Sequence, residues 1–199
     1  MIITKIEAVN KTKYKVYVEG QFTFALYKGE LSRYHLKEEG EVPEETVEKI
    51  KKDIVLKRAK LRTMHLLDDM DRTEFQLRTK LRQNHYTDDI IEAALAYVKS
   101  FGYINDEAYI RRFIDSRRDK KSRKELYALL CQKGLDRGAV DEALNAAYEG
   151  CSEEDTIRGI VRKKHWDLEA ADAKDKQKFY GYLLRKGFKY EEICRIIAR

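Results

Sequence analysis

Residues 2 to 27 alternate between apolar and polar positions. Tyr14, Val16 and Val18 fall on one face and Lys13, Lys15 and Glu19 on the other, and Phe22, Phe24 and Leu26 resume the pattern after Gly20. A period of two with a turn at Glu19-Gly20-Gln21 predicts a small antiparallel β meander with one buried face. Two or three short strands are marginal alone, so this element must pack on something helical. From Pro43 the period changes. Proline suits a first helical turn and Glu44 and Glu45 complement the positive end of the helix dipole. Val47, Ile50, Ile54 and Leu61 then recur at helical spacing, predicting a long helix from about residue 43 to 68.

The remainder repeats itself, and the repeat decides the architecture. "FQLRTKLRQNHYTDDIIEAAL" from Phe75, "KELYALLCQKGLDRGAVDEAL" from Lys124 and "QKFYGYLLRKGFKYEEICRII" from Gln177 align without gaps at offsets of 49 and 53 residues. The apolar positions superimpose: Leu77, Leu126 and Phe179; Leu81, Leu130 and Leu183; Tyr86, Leu135 and Phe188; Ile91, Val140 and Ile193; Leu95, Leu144 and Ile197. Each copy reads helix, turn, helix, with Gly134 and Gly187 as left-handed stops and the next apolar residue closing the cap. Copy one has Asn84-His85 there, and histidine tolerates that conformation less well than glycine.

A further apolar-periodic stretch precedes each pair: Ala59, Leu61 and Met64; Ala108, Ile110, Phe113 and Ile114; Ile157, Ile160 and Val161. Gly102 with Tyr103 stops one helix, and Asn105-Asp106-Glu107 starts the next. The fold expected is mainly α, an elongated array of three tandem three-helix repeats preceded by a small N-terminal antiparallel β element and a linking helix. The segments are 1–42 for the β meander, 43–56 for the linking helix, and 57–105, 106–151 and 152–199 for the repeats. Stacked units of this kind form a curved rod whose use is a long binding surface.

Composition agrees. The single proline, Pro43, and a charged fraction of 38% fit a hydrophilic helical protein. No uncharged run exceeds eight residues, Gly20 to Tyr27, and "MIITKIEAVNK" lacks the apolar core of a signal peptide, so a cytosolic protein without a membrane span is expected. Cys131, Cys151 and Cys194 are widely spaced and odd in number, which predicts reduced thiols. The Asn-Lys-Thr sequon at Asn10 is then a chance match.

Candidate catalytic chemistry is sparse. There is no phosphate-binding Gly-x-x-x-x-Gly-Lys-Ser/Thr loop and no Gly-x-Ser-x-Gly elbow. His35, His65, His85 and His165 are scattered, with no ligand spacing to cysteine or carboxylate, and read as surface or packing residues. The pairs Asp88-Asp89, Asp106-Glu107, Glu153-Glu154 and Glu191-Glu192 sit at predicted helix starts, where dipole and cap roles account for them. Cys131, beside Leu130, reads as a small buried side chain rather than a nucleophile. No catalytic residue, metal or cofactor is expected.

Charge supplies the remaining signal. The net charge is +6, yet residues 1 to 56 hold ten basic and ten acidic side chains, so the excess lies entirely in residues 57 to 199. Arg111 to Lys124 has eight basic and two acidic residues, whereas Asp136 to Asp155 is strongly acidic. With Ile110, Phe113 and Ile114 inward, Arg111, Arg112 and Arg118 face out. Arg117, Lys120, Lys121, Arg123 and Lys124 continue the row, and further clusters are Arg58 and Arg62; Arg78 and Arg82; Arg162, Lys163 and Lys164 beside Trp166; and Arg185 and Lys186. Such rows serve as a solvated face, as an interface with an acidic protein, or with aromatics as a seat for single-stranded nucleic acid.

Tandem three-helix units carrying "FGYINDEAYIRRFIDSRR", "SRKELYALLCQKGL" and "YLLRKGF" resemble the RecX family of recombination regulators over roughly residues 57 to 199. The resemblance implies a small bacterial cytoplasmic protein, not an enzyme, that binds the RecA recombinase filament along its groove. It would inhibit RecA's ATP hydrolysis, strand exchange and co-protease activity, acting as a monomer, with single- or double-stranded DNA as a further partner. Copy one departs, with Asp68, Asp69 and Asp71 before its second helix and His85 in place of glycine. RecA and DNA contacts are therefore assigned to the second and third units: Arg111, Arg112, Arg117, Arg118, Lys120, Lys121, Arg123, Lys124, Arg162, Lys163, Lys164, Arg185 and Lys186. The alternative is a helical repeat module binding DNA or RNA without RecA.

Overall fold

The computed structural model describes residues 1–149 and 152–197. Contacts divide the chain into two compact units, Met1–Asn105 and Asp106–Arg199.

In the first unit, β1 (Ile3–Ala8), β2 (Lys13–Val18) and β3 (Gln21–Tyr27) form an antiparallel meander in the order β1-β2-β3. Glu19 and Gly20 turn the second hairpin with φ of 50° and 77°, the paired left-handed conformation that matches strand twist. The register pairs Tyr14 with Leu26 and Val16 with Phe24 on the apolar face, but a bulge after Val16 pairs Tyr17 with Phe22, so Phe22, expected beside Phe24, joins the opposite face. β3 runs directly into α1 (Lys28–Arg33), a short helix that the pattern does not announce because it buries no side chain fully.

α2 (Glu44–Ile50) starts after Pro43 and passes through a π-helical turn (Lys51–Leu56) into α3 (Lys57–Asp69) without leaving helical geometry. The wide turn has a consequence. It shifts the inward-facing set by one position, from the Ile54 and Leu61 phase to Val55, Ala59, Thr63 and Leu66. Leu61, expected in the core, is therefore exposed. Thr63 is buried instead, its hydroxyl donating to the Ala59 carbonyl at 2.8 Å.

α4 (Glu74–Gln83) opens with a reciprocal cap between Thr73 and Gln76, and α5 (Asp88–Ser100) completes the first three-helix unit. Val16, Phe24 and Leu26 of the sheet belong to the same core as Ile50 of α2, Leu77 and Leu81 of α4, and Ile91 and Leu95 of α5. Sheet and first repeat therefore form one body.

The second unit holds two more three-helix repeats. α6 (Asp106–Asp115), α7 (Arg123–Gln132) and α8 (Arg137–Tyr148) surround Ile110, Phe113, Leu126, Leu130, Val140 and Leu144. α9 (Glu153–Lys163), α10 (Ala173–Arg185) and α11 (Tyr190–Ile197) surround Ile157, Ile160, Leu183, Phe188 and Ile193. Ser122, Asp136, Ser152 and Asp172 cap α7, α8, α9 and α10 through their side-chain oxygens.

The repeat's apolar positions are buried, Phe179 excepted, which is half-buried against Trp166. The turn of copy one has the same geometry as that of copy three. Tyr86 N–H reaches the Leu81 carbonyl at 3.3 Å and His85 N–H the Arg82 carbonyl at 2.9 Å, as Phe188 and Gly187 do with Leu183 and Leu184. His85 takes φ of 63° to do so, and His35 and His165 hold the same left-handed stop with φ of 54° and 51°. Three of the four histidines thus end helices.

Cys131 and Cys194 are free thiols and only partly buried. That corrects the reading of Cys131 as a core side chain: Leu126 and Leu130 carry the inward stripe of α7, and position 131 lies one step off it. Cys151 lies outside the described residues, as do the far ends of the segments drawn to residues 151 and 199.

Candidate interaction surface

Arg111 and Arg112 stand exposed on α6, opposite Ile110, Phe113 and Ile114. Arg111 pairs with Glu107 one turn earlier at 3.3 Å, an exposed contact worth a few tenths of a kcal/mol, so a partner's acid would displace it at little cost. After α6 the chain turns on Arg117, whose guanidinium lies 4.1 Å from the centroid of Phe113 and donates to Ser116 Oγ at 2.6 Å. Lys120 and Lys124 are exposed.

Two of the cations assigned to partner contact are engaged inside the unit. Lys121 pairs with Glu125 and is three-quarters buried. Arg123 reaches across to α8, donating to Asp141 Oδ1 at 2.5 Å and Asn145 Oδ1 at 2.7 Å. These bonds brace α7 against α8, a role hidden in the sequence because Asp141 lies 18 residues away.

The structure brings three others together. Arg118, Arg162 and Lys163 line one open cleft of about 400 Å³ with Asp119, Asp155 and Tyr148. Arg118 comes from the loop after α6 and donates to the Ala147 carbonyl at 3.4 Å, while Arg162 and Lys163 come from the last turn of α9. Cations from two repeats thus face one recess. Its wall is tied on one side by the Tyr148 hydroxyl, which donates to the Lys121 carbonyl at 3.2 Å. Burial, with Glu153 nearby, pushes the Tyr148 phenol up to about 12.

Lys164 and Lys186 form a separate cluster around an aromatic stack. Trp166 lies 4.2 Å from Phe179 and meets Tyr182 edge-on at 5.3 Å. Lys164 Nζ is 4.6 Å and Lys186 Nζ 5.9 Å from the centroid of Tyr182. Arg185 is exposed at the end of α10.

Sequence reasoning overlooked the acidic members of the junction between the second and third repeats. Glu153 accepts the N–H of Arg123 at 3.1 Å and has the Glu192 carboxyl beside it. Burial and the neighbouring Glu192 raise its carboxyl to about 7, against the Arg123 N–H, which favours the anion. The only available signal was the Glu-Glu pair at each helix start, read there as a cap.

Among the described residues no helix is long and apolar enough to cross a membrane, and no group of three or more His, Cys, Asp or Glu side chains is placed to hold a metal ion.

Comparison with known proteins places this surface in context. A family model described as the first three-helix domain of RecX matches residues 59–97, and one for its third three-helix domain matches residues 152–197. The chain is 27% identical over 204 residues to Regulatory protein RecX of Clostridioides difficile strain 630, covering 100% of this chain and 95% of that one. It is 29% identical over 195 residues to Regulatory protein RecX of Caldanaerobacter subterraneus subsp. tengcongensis, covering 97% and 96%. A crystal structure of regulatory protein RecX superimposes with a TM-score of 0.63 at 21% identity, over 100% of this chain and 99% of that one. RecX from Lactobacillus salivarius gives 0.56 at 20%, over 72% and 94%.

Proposed function

The chain belongs to the RecX family of regulatory proteins, and we propose that it binds the RecA recombinase filament along its groove and inhibits its ATPase, strand-exchange and co-protease activities. It does so as a cytoplasmic, non-enzymatic monomer, with repeats 57–105, 106–151 and 152–199 as its building units. The observation that carries this reading is the cleft where Arg118, Arg162 and Lys163 converge, with Arg111, Arg112, Lys120 and Lys124 exposed elsewhere on the second repeat. A filament presents acidic side chains and DNA phosphates at regular intervals, and cations from successive repeats meet that periodicity. Arg117, Lys164, Arg185 and Lys186 extend the basic contact, whereas Lys121 and Arg123 support it from within.

The test is charge reversal in the cleft. Arg118→Glu with Arg162→Glu and Lys163→Glu is expected to weaken inhibition of RecA's DNA-dependent ATP hydrolysis at least tenfold while leaving the melting temperature within a few degrees. An unchanged inhibition curve removes the cleft from the mechanism. The aromatic stack at Trp166, ringed by Lys164 and Lys186, supports a second reading in which the helical repeats bind DNA or RNA without RecA. That reading requires affinity for bare nucleic acid to equal affinity for the filament.

A further inference from the structure

The partly exposed face of the N-terminal sheet that carries Lys15 and Tyr17 has no part in that reading. The register sets Lys5 opposite Tyr17, Tyr17 opposite Phe22, and Lys13 opposite Tyr27. The face away from Val16 and Leu26 therefore carries Lys5, Lys13 and Lys15 together with the rings of Tyr17, Phe22 and Tyr27. Tyr17 and Phe22 have centroids 5.7 Å apart, and Lys5 Nζ lies 5.6 Å from the Tyr17 ring.

The pattern continues onto the helices. Arg58 of α3 lies 4.6 Å over Tyr27, whose side chain is exposed, and Arg62 follows one turn later on the same helical face, also exposed. At the far end of β2, Lys13 Nζ donates to the Asn84 carbonyl at 2.7 Å and sits 5.7 Å from the Tyr86 ring.

The two carboxylates paired with these cations are both engaged. Glu7 accepts from the Tyr17 hydroxyl at 3.0 Å and pairs with Lys5 at 3.3 Å, while Glu30 pairs with Arg58. Five cations, Lys5, Lys13, Lys15, Arg58 and Arg62, are thus left with an excess of three positive charges. They crowd one another. Burial, and then the Arg58 guanidinium, hold the Lys13 ammonium below the usual lysine range, and burial with Lys15 and Lys13 does the same to His85. A surface that keeps unneutralised cations this close is complementary to a polyanion.

The rings choose among polyanions. An acidic protein would meet the charge but leave Tyr17, Phe22 and Tyr27 without a role, and a duplex keeps its bases stacked inside. Unpaired bases, by contrast, stack on aromatic side chains while their phosphates track the neighbouring cations. We propose that this partly exposed sheet face of the N-terminal unit binds single-stranded nucleic acid, with bases on Tyr17, Phe22 and Tyr27 and phosphates on Lys15 and Arg62. This gives the β element a ligand of its own, independent of how the later repeats meet RecA.

Fluorescence anisotropy of a labelled single-stranded oligothymidylate, titrated with the full chain at several salt concentrations, tests the proposal. Lys15→Glu combined with Arg62→Glu is expected to weaken binding at least tenfold. It should also flatten the plot of log affinity against log salt by about 1.4, the loss of two single-strand phosphate contacts. Tyr17→Ala is expected to lose about fivefold and Tyr17→Phe to retain full affinity, since one base stack contributes roughly 1 kcal/mol. Circular dichroism of each variant confirms the fold. Equal affinity of wild type and the double variant overturns the proposal, as does preference for a duplex of the same length, or loss of binding only when Arg117 and Arg118 are reversed.

Discussion

Ser122 Oγ accepts the N–H of Glu125 at 3.1 Å and donates to the Lys186 carbonyl at 2.8 Å, so one buried hydroxyl caps α7 and also satisfies the C-terminal end of α10. Ser122 belongs to the second repeat and Lys186 to the third. The contact depends on Gly187 beside it, where a Cβ would approach Ser122 Oγ to 2.7 Å and φ is 85°. Removal of the hydroxyl loses a cap and leaves a buried carbonyl unpaired, so Ser122→Ala is expected to cost about 2 to 3 kcal/mol in denaturant unfolding. Gly187→Ala should cost more than Gly102→Ala, whose left-handed position opens onto empty space. Equal costs for the two glycines would show that the Ser122 contact contributes nothing.

The histidine at the first repeat's turn makes a second, opposite expectation. His85 holds φ of 63° where Gly134 and Gly187 hold 75° and 85° without steric penalty. His85→Gly is therefore expected to stabilise the chain by about 0.5 to 1 kcal/mol, the relief of left-handed strain exceeding the added flexibility of the unfolded chain. Gly134→His should destabilise by a similar amount. Thermal melts of the two variants, moving in opposite directions, check the assignment.

Glu153 gives the junction a pH dependence with a definite sign. Its carboxyl titrates near 7 in the folded chain against an ordinary value of 4.5, so the native state holds the extra proton. Because burial, and then the Glu192 carboxyl, disfavour the anion, this contribution to stability is fully present below about 4.5 and is lost as pH rises through about 7, with Lys189, Arg123 and Tyr148 the other groups around it. Glu153→Gln, which mimics the protonated form, is expected to match wild type near pH 5 and to melt at a higher temperature above pH 8. A constant difference at both pH values would remove Glu153 as the titrating group.

Core truncation separates the repeat's packing positions. Leu130→Ala and Leu183→Ala remove side chains with no exposure and are expected to cost about 2 to 5 kcal/mol each. Phe179→Ala, at the position where the third copy holds its ring half-buried against Trp166, should cost less than the equivalent Leu126→Ala. Chemical denaturation of the four repeat variants provides the comparison.

The residues explain which features could be read in advance. Leu81, Leu130 and Leu183 align because the same packing position recurs in each three-helix unit, and each is fully buried. Alternation from Tyr14 to Leu26 fixed the sheet's register because each one-residue slip would turn Val16 and Phe24 to solvent. Leu61 was misassigned because a π-helical turn inserts one residue into the helical phase, and nothing in "KKDIVL" marks it. The cleft was invisible for another reason: Arg118 and Arg162 are 44 residues apart, and only the packing of the second repeat on the third brings them together. Lys121 and Arg123 looked like their neighbours in the basic run, and only the positions of Glu125 and Asp141 distinguish them.

The most direct measurement is a titration of the purified chain, well below one molecule per RecA, into RecA preassembled on single-stranded DNA, with ATP hydrolysis followed at two salt concentrations. Filament regulation is expected to give progressive loss of hydrolysis at these substoichiometric levels, with the loss weaker at higher salt. Full hydrolysis at equimolar chain, accompanied by tight binding to the bare DNA, would contradict it.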